Sequence, residues 1–171
     1  MVVGRWAYVT DAMPSLSAQR SVHRAVMTLA CAMAILGYIC ILKAHLPKSQ
    51  FFGYDFVAGE WKVPSRVVHS LLGYAILLVA LLQAVMGLAK LAFLQKSNER
   101  IFTFHGSLGK ALIVLGSVNI VVACRFWGWS VGMKVLVGGL SLLAALLGVG
   151  WPRPASMPGE TTPLAGEAKG P

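Results

Sequence analysis

Charge is scarce in this sequence, and acidic charge is scarcest. Asp and Glu number six in 171 residues, and charged residues of both signs make up 12%, against about 25% in a typical soluble domain. None of the six falls inside the four long apolar runs, Ala25–Leu42, Leu71–Ala89, Ala111–Cys124 and Val135–Trp151. A proton relay within a membrane normally includes a carboxylate, and zinc normally wants four N, S or O ligands; neither finds a carboxylate here. No C-x-x-C-H string occurs, which excludes covalent c-type haem attachment. The three cysteines, Cys31, Cys40 and Cys124, are odd in number and contain no close pair. They read as small packing residues rather than a disulfide framework. The opening Met-Val-Val-Gly-Arg-Trp lacks the apolar core of a signal peptide, so insertion is expected to be directed by the first apolar run itself.

What the chain does have is apolar length. Hydrophobic residues make up 57%, and the first two runs reach the roughly 18 uncharged residues that a spanning helix needs. The third attains membrane length by running back through Lys110 to Phe104. The fourth is bounded by Lys134 and Arg153, with Lys134 snorkelling to the interface. The expected fold class is all-α: an integral membrane four-helix bundle over residues 22–151, preceded by a surface arm, residues 1–21. From Pro152 onward Pro, Gly, Glu and Thr dominate, and residues 152–171 are expected to be a disordered tail. Between the first two spans, Leu46–Ser65 carries Phe51, Phe52, Tyr54, Phe56 and Trp61. Such rings favour the head-group layer, so the segment reads as an interfacial loop or as a lid over a site on that side.

A net charge of +9 invites a nucleic-acid reading, but the basic residues flank the apolar runs. Their expected work is topology and contact with anionic lipid. Alternating spans place Arg5, Arg20, Arg24, Lys90, Lys96, Arg100, Lys110, Arg153 and Lys169 on one side, against Lys43, Lys48, Lys62, Arg66, Arg125 and Lys134 on the other. The positive-inside bias puts both termini in the cytoplasm.

Three histidines, His23, His69 and His105, stand at the mouths of three successive runs. A histidine is costly inside lipid unless something binds it. His69-Ser-Leu-Leu-Gly73 and His105-Gly-Ser-Leu-Gly109 repeat one another, and the repeat continues: eleven residues on lie Ala80 and Gly116, fourteen on lie Gln83 and Asn119. Steps of 4, 7, 11 and 14 follow one helical face. Each helix is therefore expected to turn a stripe of histidine, small residues and one carboxamide inward, either to admit a flat macrocycle or as ordinary small-residue packing with amide hydrogen bonds. Antiparallel spans place His23 and His105 at the same side and His69 at the other. Two neutral imidazoles on facing helices make a good axial pair for a non-covalent b-type haem, which favours electron transfer. His45 lies 22 residues after His23, about 33 Å along a helix, and reads as a solvated interfacial residue.

From Ser21 to about Gly150 the chain resembles the last four helices of the cytochrome b561 family, which includes DOMON-linked and ferric-reductase members. The residues that carry the resemblance are His23-Arg-Ala-Val-Met27, His69-Ser-Leu-Leu-Gly73 with Leu82-Gln83, and Glu99-Arg-Ile-Phe-Thr-Phe-His105 with the glycine-rich helix to Asn119. The resemblance implies a partial six-helix domain, commonly dimeric, with two b haems. It implies ascorbate as cytoplasmic electron donor and monodehydroascorbate or ferric iron as acceptor. In that pattern His23 and His105 match the ligands of the cytoplasmic haem, and His69 matches one ligand of a second haem whose other histidine this chain does not supply. One haem is expected to be complete and the second half built, which impairs transfer across the membrane. Arg20, Arg24 and Lys110 are the candidates for attracting an ascorbate anion, or are positive-inside anchors. The competing expectation is a cofactor-free four-helix membrane interaction protein, or a truncated non-catalytic relative.

Overall fold

The computed structural model describes residues 2–9, 15–97 and 101–150; the expected disordered tail, along with Glu99 and Arg100, lies outside them. Five helices dominate: α1 (Val2–Val9), α2 (Leu16–His45), α3 (Pro64–Ser97), α4 (His105–Ala123) and α5 (Val131–Gly150). The last four are long and apolar enough to cross a membrane. The chain is thus all-α, built on four apolar helices in a bundle.

Local chemistry sets the helix ends. Ser15 caps α2, its Oγ accepting the Ala18 N–H at 3.2 Å. Pro64 opens α3, where its fixed φ fits and its missing N–H is not needed. The Ser130 hydroxyl accepts the Met133 N–H at 3.3 Å at the start of α5. At its far end α2 passes into a single 3₁₀ turn, Leu46–Lys48.

The distribution of side chains is inverted relative to a soluble protein. Leu112 and Ala123 are the buried hydrophobic residues among those described, whereas Gln19, Asp55, Gln83 and Ser117 are buried polar ones. Dozens of Leu, Val, Ile and aromatic side chains face outward, and none of the most apolar stretch of α2 is buried. In water such a surface would aggregate. In a bilayer the apolar side chains face lipid while polar ones turn inward. Helix packing is correspondingly uneven: α3 lies along α4 and α4 along α5, while α2 touches α3 sparingly and shares no extended interface with α4.

Two elements went unforeseen. Residues 2–9, expected as a surface arm, form a helix packed on α2 and reaching α5. The aromatic connection holds a three-stranded antiparallel sheet, β1 (Gln50–Phe51), β2 (Tyr54–Asp55) and β3 (Glu60–Trp61), in that order. Phe51 pairs with Tyr54, so Phe52 and Gly53 form a two-residue turn, both with positive φ, 56° and 82°. Phe52 tolerates this because its ring packs 4.7 Å from that of Tyr74 on α3, which in turn meets Tyr38 of α2 edge-on at 5.8 Å. At Gly53 a side chain is excluded twice, since an added Cβ would sit 2.6 Å from the Val67 Cα. Gly53→Ala should therefore lift the hairpin from α3, combining that overlap with about 1–3 kcal/mol of left-handed strain. Limited proteolysis between residues 46 and 63 should become faster; unchanged cleavage would show that the tip is not docked.

Asp55 organises the sheet. Its carboxylate accepts from Lys62 Nζ and Gln50 Nε2, both at 2.7 Å, and from the Val57 and Ala58 N–H groups at 3.1 and 3.0 Å. The Lys62 ammonium first, then these amides, hold the carboxyl well below its ordinary value of 3.8. A depressed value stabilises the fold above the ordinary carboxylate range and loses that contribution only as pH falls below it. The same proteolytic rate should therefore hold steady from pH 7 to about 4 and rise in stronger acid (with an acid-active protease). Asp55→Asn should remove the acid-dependent part. An equal acid response in that variant would assign the effect elsewhere.

Candidate functional site

The antiparallel α3–α4 pair places the repeated residues opposite one another. His69 near the start of α3 donates from Nδ1 to the main-chain oxygen of Asn119 on α4 at 3.2 Å. At the other end, Gln83 of α3 donates from Nε2 to the main-chain oxygen of His105, the first residue of α4, at 2.8 Å. Each glycine of the repeat admits the facing amide. A Cβ on Gly73 would lie 3.3 Å from Asn119 Nδ2, and one on Gly109 would lie 3.4 Å from Gln83 Nε2. The histidine, the glycine four on and the carboxamide fourteen on are thus used reciprocally. The small residue at step eleven is not: a Cβ on Gly116 would meet nothing within 4 Å.

Asn119 lies 14 residues beyond His105, about 21 Å along α4, so His69 and His105 belong to opposite ends. His23 and His105 share an end of the bundle and lie near one another, with Lys90 close to His105. His23 donates from Nδ1 to the Gly4 carbonyl oxygen at 2.8 Å. A carbonyl can only accept, so the neutral His23 and His69 rings carry their proton on Nδ1 and the lone pair on Nε2, the form a metal ligand requires. The His105 ring presents its Cε1–Nε2 edge to α3 at Gly87, where a Cβ would lie 3.4 Å from Cε1 and 3.9 Å from Nε2. The ring edge therefore packs on the bare backbone of α3 at Gly87. His105 Nδ1 is buried and has no hydrogen-bond partner among the described residues, an arrangement that costs about 1–3 kcal/mol.

Among the described residues no three His, Cys, Asp or Glu side chains gather as a metal-ligand set. A pair of imidazoles on α2 and α4 suits a metal that brings its other ligands with it, as haem iron does. Contact between α2 and α3 is sparse. Two imidazoles at this end are the donor types that could hold a b-type haem. At the other end His69 meets Phe126, ring centroids 5.4 Å apart, with the Arg66 guanidinium 5.6 Å from the same ring. No second histidine faces it among the described residues. His45 is exposed and donates to the Ile41 carbonyl of its own helix at 2.9 Å. An apolar cavity of about 120 Å³ between α3 and α4, lined by Leu72, Val79, Leu108 and Leu112 among others, is too small for a macrocycle.

Arg20, Arg24 and Lys110 make no hydrogen bond or ion pair to a described residue. The base that the structure brings to His105 is Lys90, which sequence reasoning had counted only as a topology charge. Gln83, Gly87 and Lys90 follow steps of 4 and 3 along one face of α3, and that periodicity was the available signal. Gly4 carried no signal at all, because its role depends on a carbonyl oxygen. Comparison with protein-family models, curated proteins and solved structures finds no match, so the cytochrome b561 resemblance rests on the sequence motifs alone.

Gln83 illustrates how such a site balances. Its amide nitrogen is satisfied, whereas its Oε1 is buried without a partner. Gln83→Leu removes an interhelical bond of about 0.6–1.7 kcal/mol together with an unsatisfied oxygen of similar cost. The two should nearly cancel, leaving stability in detergent-titrated unfolding within about 1 kcal/mol of the parent. A loss beyond about 2 kcal/mol would mean that the Gln83 oxygen has a partner of its own.

Proposed function

We propose that this protein is a membrane haem-b electron-transfer protein, resembling the ascorbate-dependent transmembrane reductases. The single observation that carries the reading is the proximity of His23 on α2 to His105 on α4 at one end of the bundle, where the His105 ring packs on Gly87 of α3. Zinc or a proton relay would need further ligands or carboxylates that no span supplies.

His23 and His105 would hold the haem iron. Bound haem would supply one-electron redox chemistry. The chain's own residues do the rest. Gly4 fixes the tautomer of His23, Gln83 ties the first turn of α4 to α3, and Gly87 leaves room beside the ring. Lys90, with Arg20, Arg24 and Lys110, makes that end positive, which attracts an anionic donor of the ascorbate class. The same charge bias, nine basic residues against six, supports placing that end, and both termini, in the cytoplasm. Ferric iron or monodehydroascorbate is the acceptor class that the resemblance implies. His69, with no opposing histidine in the chain, makes one haem per chain the expected stoichiometry.

Purified protein supplied with haem should give a sharp b-type α-band in its reduced-minus-oxidised spectrum, at one haem per chain. His23→Ala and His105→Ala should each abolish it, whereas His69→Ala and His45→Ala should retain it. An absent band in the parent leaves a cofactor-free four-helix membrane protein, and loss in His45→Ala would move the site to the other end of α2.

A further inference from the structure

The proposed function assigns no role to the first helix beyond one carbonyl, yet α1 is placed as part of the site. It lies against α2 and reaches α5. Gly4 is buried, and a Cβ there would sit 3.3 Å from both Met27 Sδ and Val26 Cγ1 on α2. At its start, Val2 meets the crossing of α4 and α5: a Cβ on Gly148 would lie 2.9 Å from Ile113 Cγ2 and 3.4 Å from Val2 Cγ2. The helix therefore bridges α2, which has few other contacts, to the firmly packed α4–α5 pair. Among its polar contacts is the 2.8 Å bond from His23 Nδ1 to the Gly4 carbonyl. Metal-bound histidines are usually oriented by such a partner on the other ring nitrogen.

We propose that α1 is a positioning strap for His23. It holds α2 at the mouth of the bundle, and the Gly4 carbonyl keeps the imidazole in the Nδ1–H form with Nε2 as the ligating nitrogen. Glycine suits position 4 because a Cβ there would press on Met27 Sδ and Val26 Cγ1 at 3.3 Å, and a bulkier side chain would force α1 from α2. Gly4 is thus a positioning residue, acting through His23 and touching neither donor nor haem. The role in electron transfer rests on the haem reading; the tautomer does not.

The test uses the full chain in lipid nanodiscs, labelled with ¹⁵N-histidine, with the His23 signals identified by their loss in His23→Ala. In haem-free parent protein the His23 shifts should report Nδ1–H. Gly4→Val should force α1 from Met27 and Val26, convert His23 to a mixture containing Nε2–H, and weaken haem binding by about 10–100-fold. Val3→Ala, an exposed change on the same helix, should alter neither. Two results overturn the strap: Nε2–H in the parent, or parent-like tautomer and affinity in Gly4→Val. Should Gly4→Val fail to insert, the parent tautomer and the milder Gly4→Ala decide. Failure of the parent to bind haem sinks the electron-transfer reading alone, because the tautomer of His23 is still measured.

Discussion

The arrangement of the site depends on the reciprocal bonding of α3 to α4. Each helix gives one end a histidine and the other end a carboxamide residue. His69 reaches the Asn119 backbone and Gln83 reaches the His105 backbone, so the two contacts fix register and antiparallel direction together. A shift of either helix by one residue would break both. Hydrogen bonds between membrane helices average only about 0.6 kcal/mol. The importance of these two lies in alignment, because lipid gives the helices no hydrophobic reason to prefer one register over another. The glycines complete the device, since Gly73 and Gly109 are where the amides need room. The pair has the character of a small inverted repeat, with an approximate two-fold axis across the bundle.

The symmetry stops at this pair, and its breaking separates the two ends chemically. Beside α4, α2 presents His23 to the end that holds His105. Beside α3, the corresponding position at the His69 end has no histidine, and Phe126 and Arg66 occupy the surroundings. One end brings two imidazoles near one another, whereas the other offers a single imidazole edge-on to an aromatic ring. The small sheet adds to the contrast. It anchors the loop at the His69 end through the Phe52–Tyr74–Tyr38 chain of rings and the Asp55–Lys62 pair, while the His23 end is bridged by a helix.

Much of this was legible in residue order, and the boundary is physical. The four spans follow from apolar length, and the opposition of His69 to His105 follows from alternation of antiparallel helices. The inward amides follow from helical periodicity at steps of four and fourteen, a feature of side chains on a single helix. What resisted reading was interaction through the backbone or across elements. The Phe52–Gly53 turn puts a phenylalanine at positive φ, against its local preference, and only packing on Tyr74 stabilises it. The Gly4 carbonyl has no residue signature. Lys90 looked like a flanking charge because its neighbour His105 comes from another helix. Gly116 misled in the opposite sense: it continues the stripe in sequence but meets open space.

The open side of α2 follows from the same logic. A span whose most apolar stretch is wholly unburied gains nothing from packing that lipid would not also provide. Its position must then come from its ends: the hairpin rings at Tyr38 on one side and α1 on the other. An axial ligand carried on such a helix is held only as well as those ends are held. Anything that binds α2 and α4 together would therefore couple its own binding to helix association, since binding free energy that forms only in the assembled state is assembly free energy.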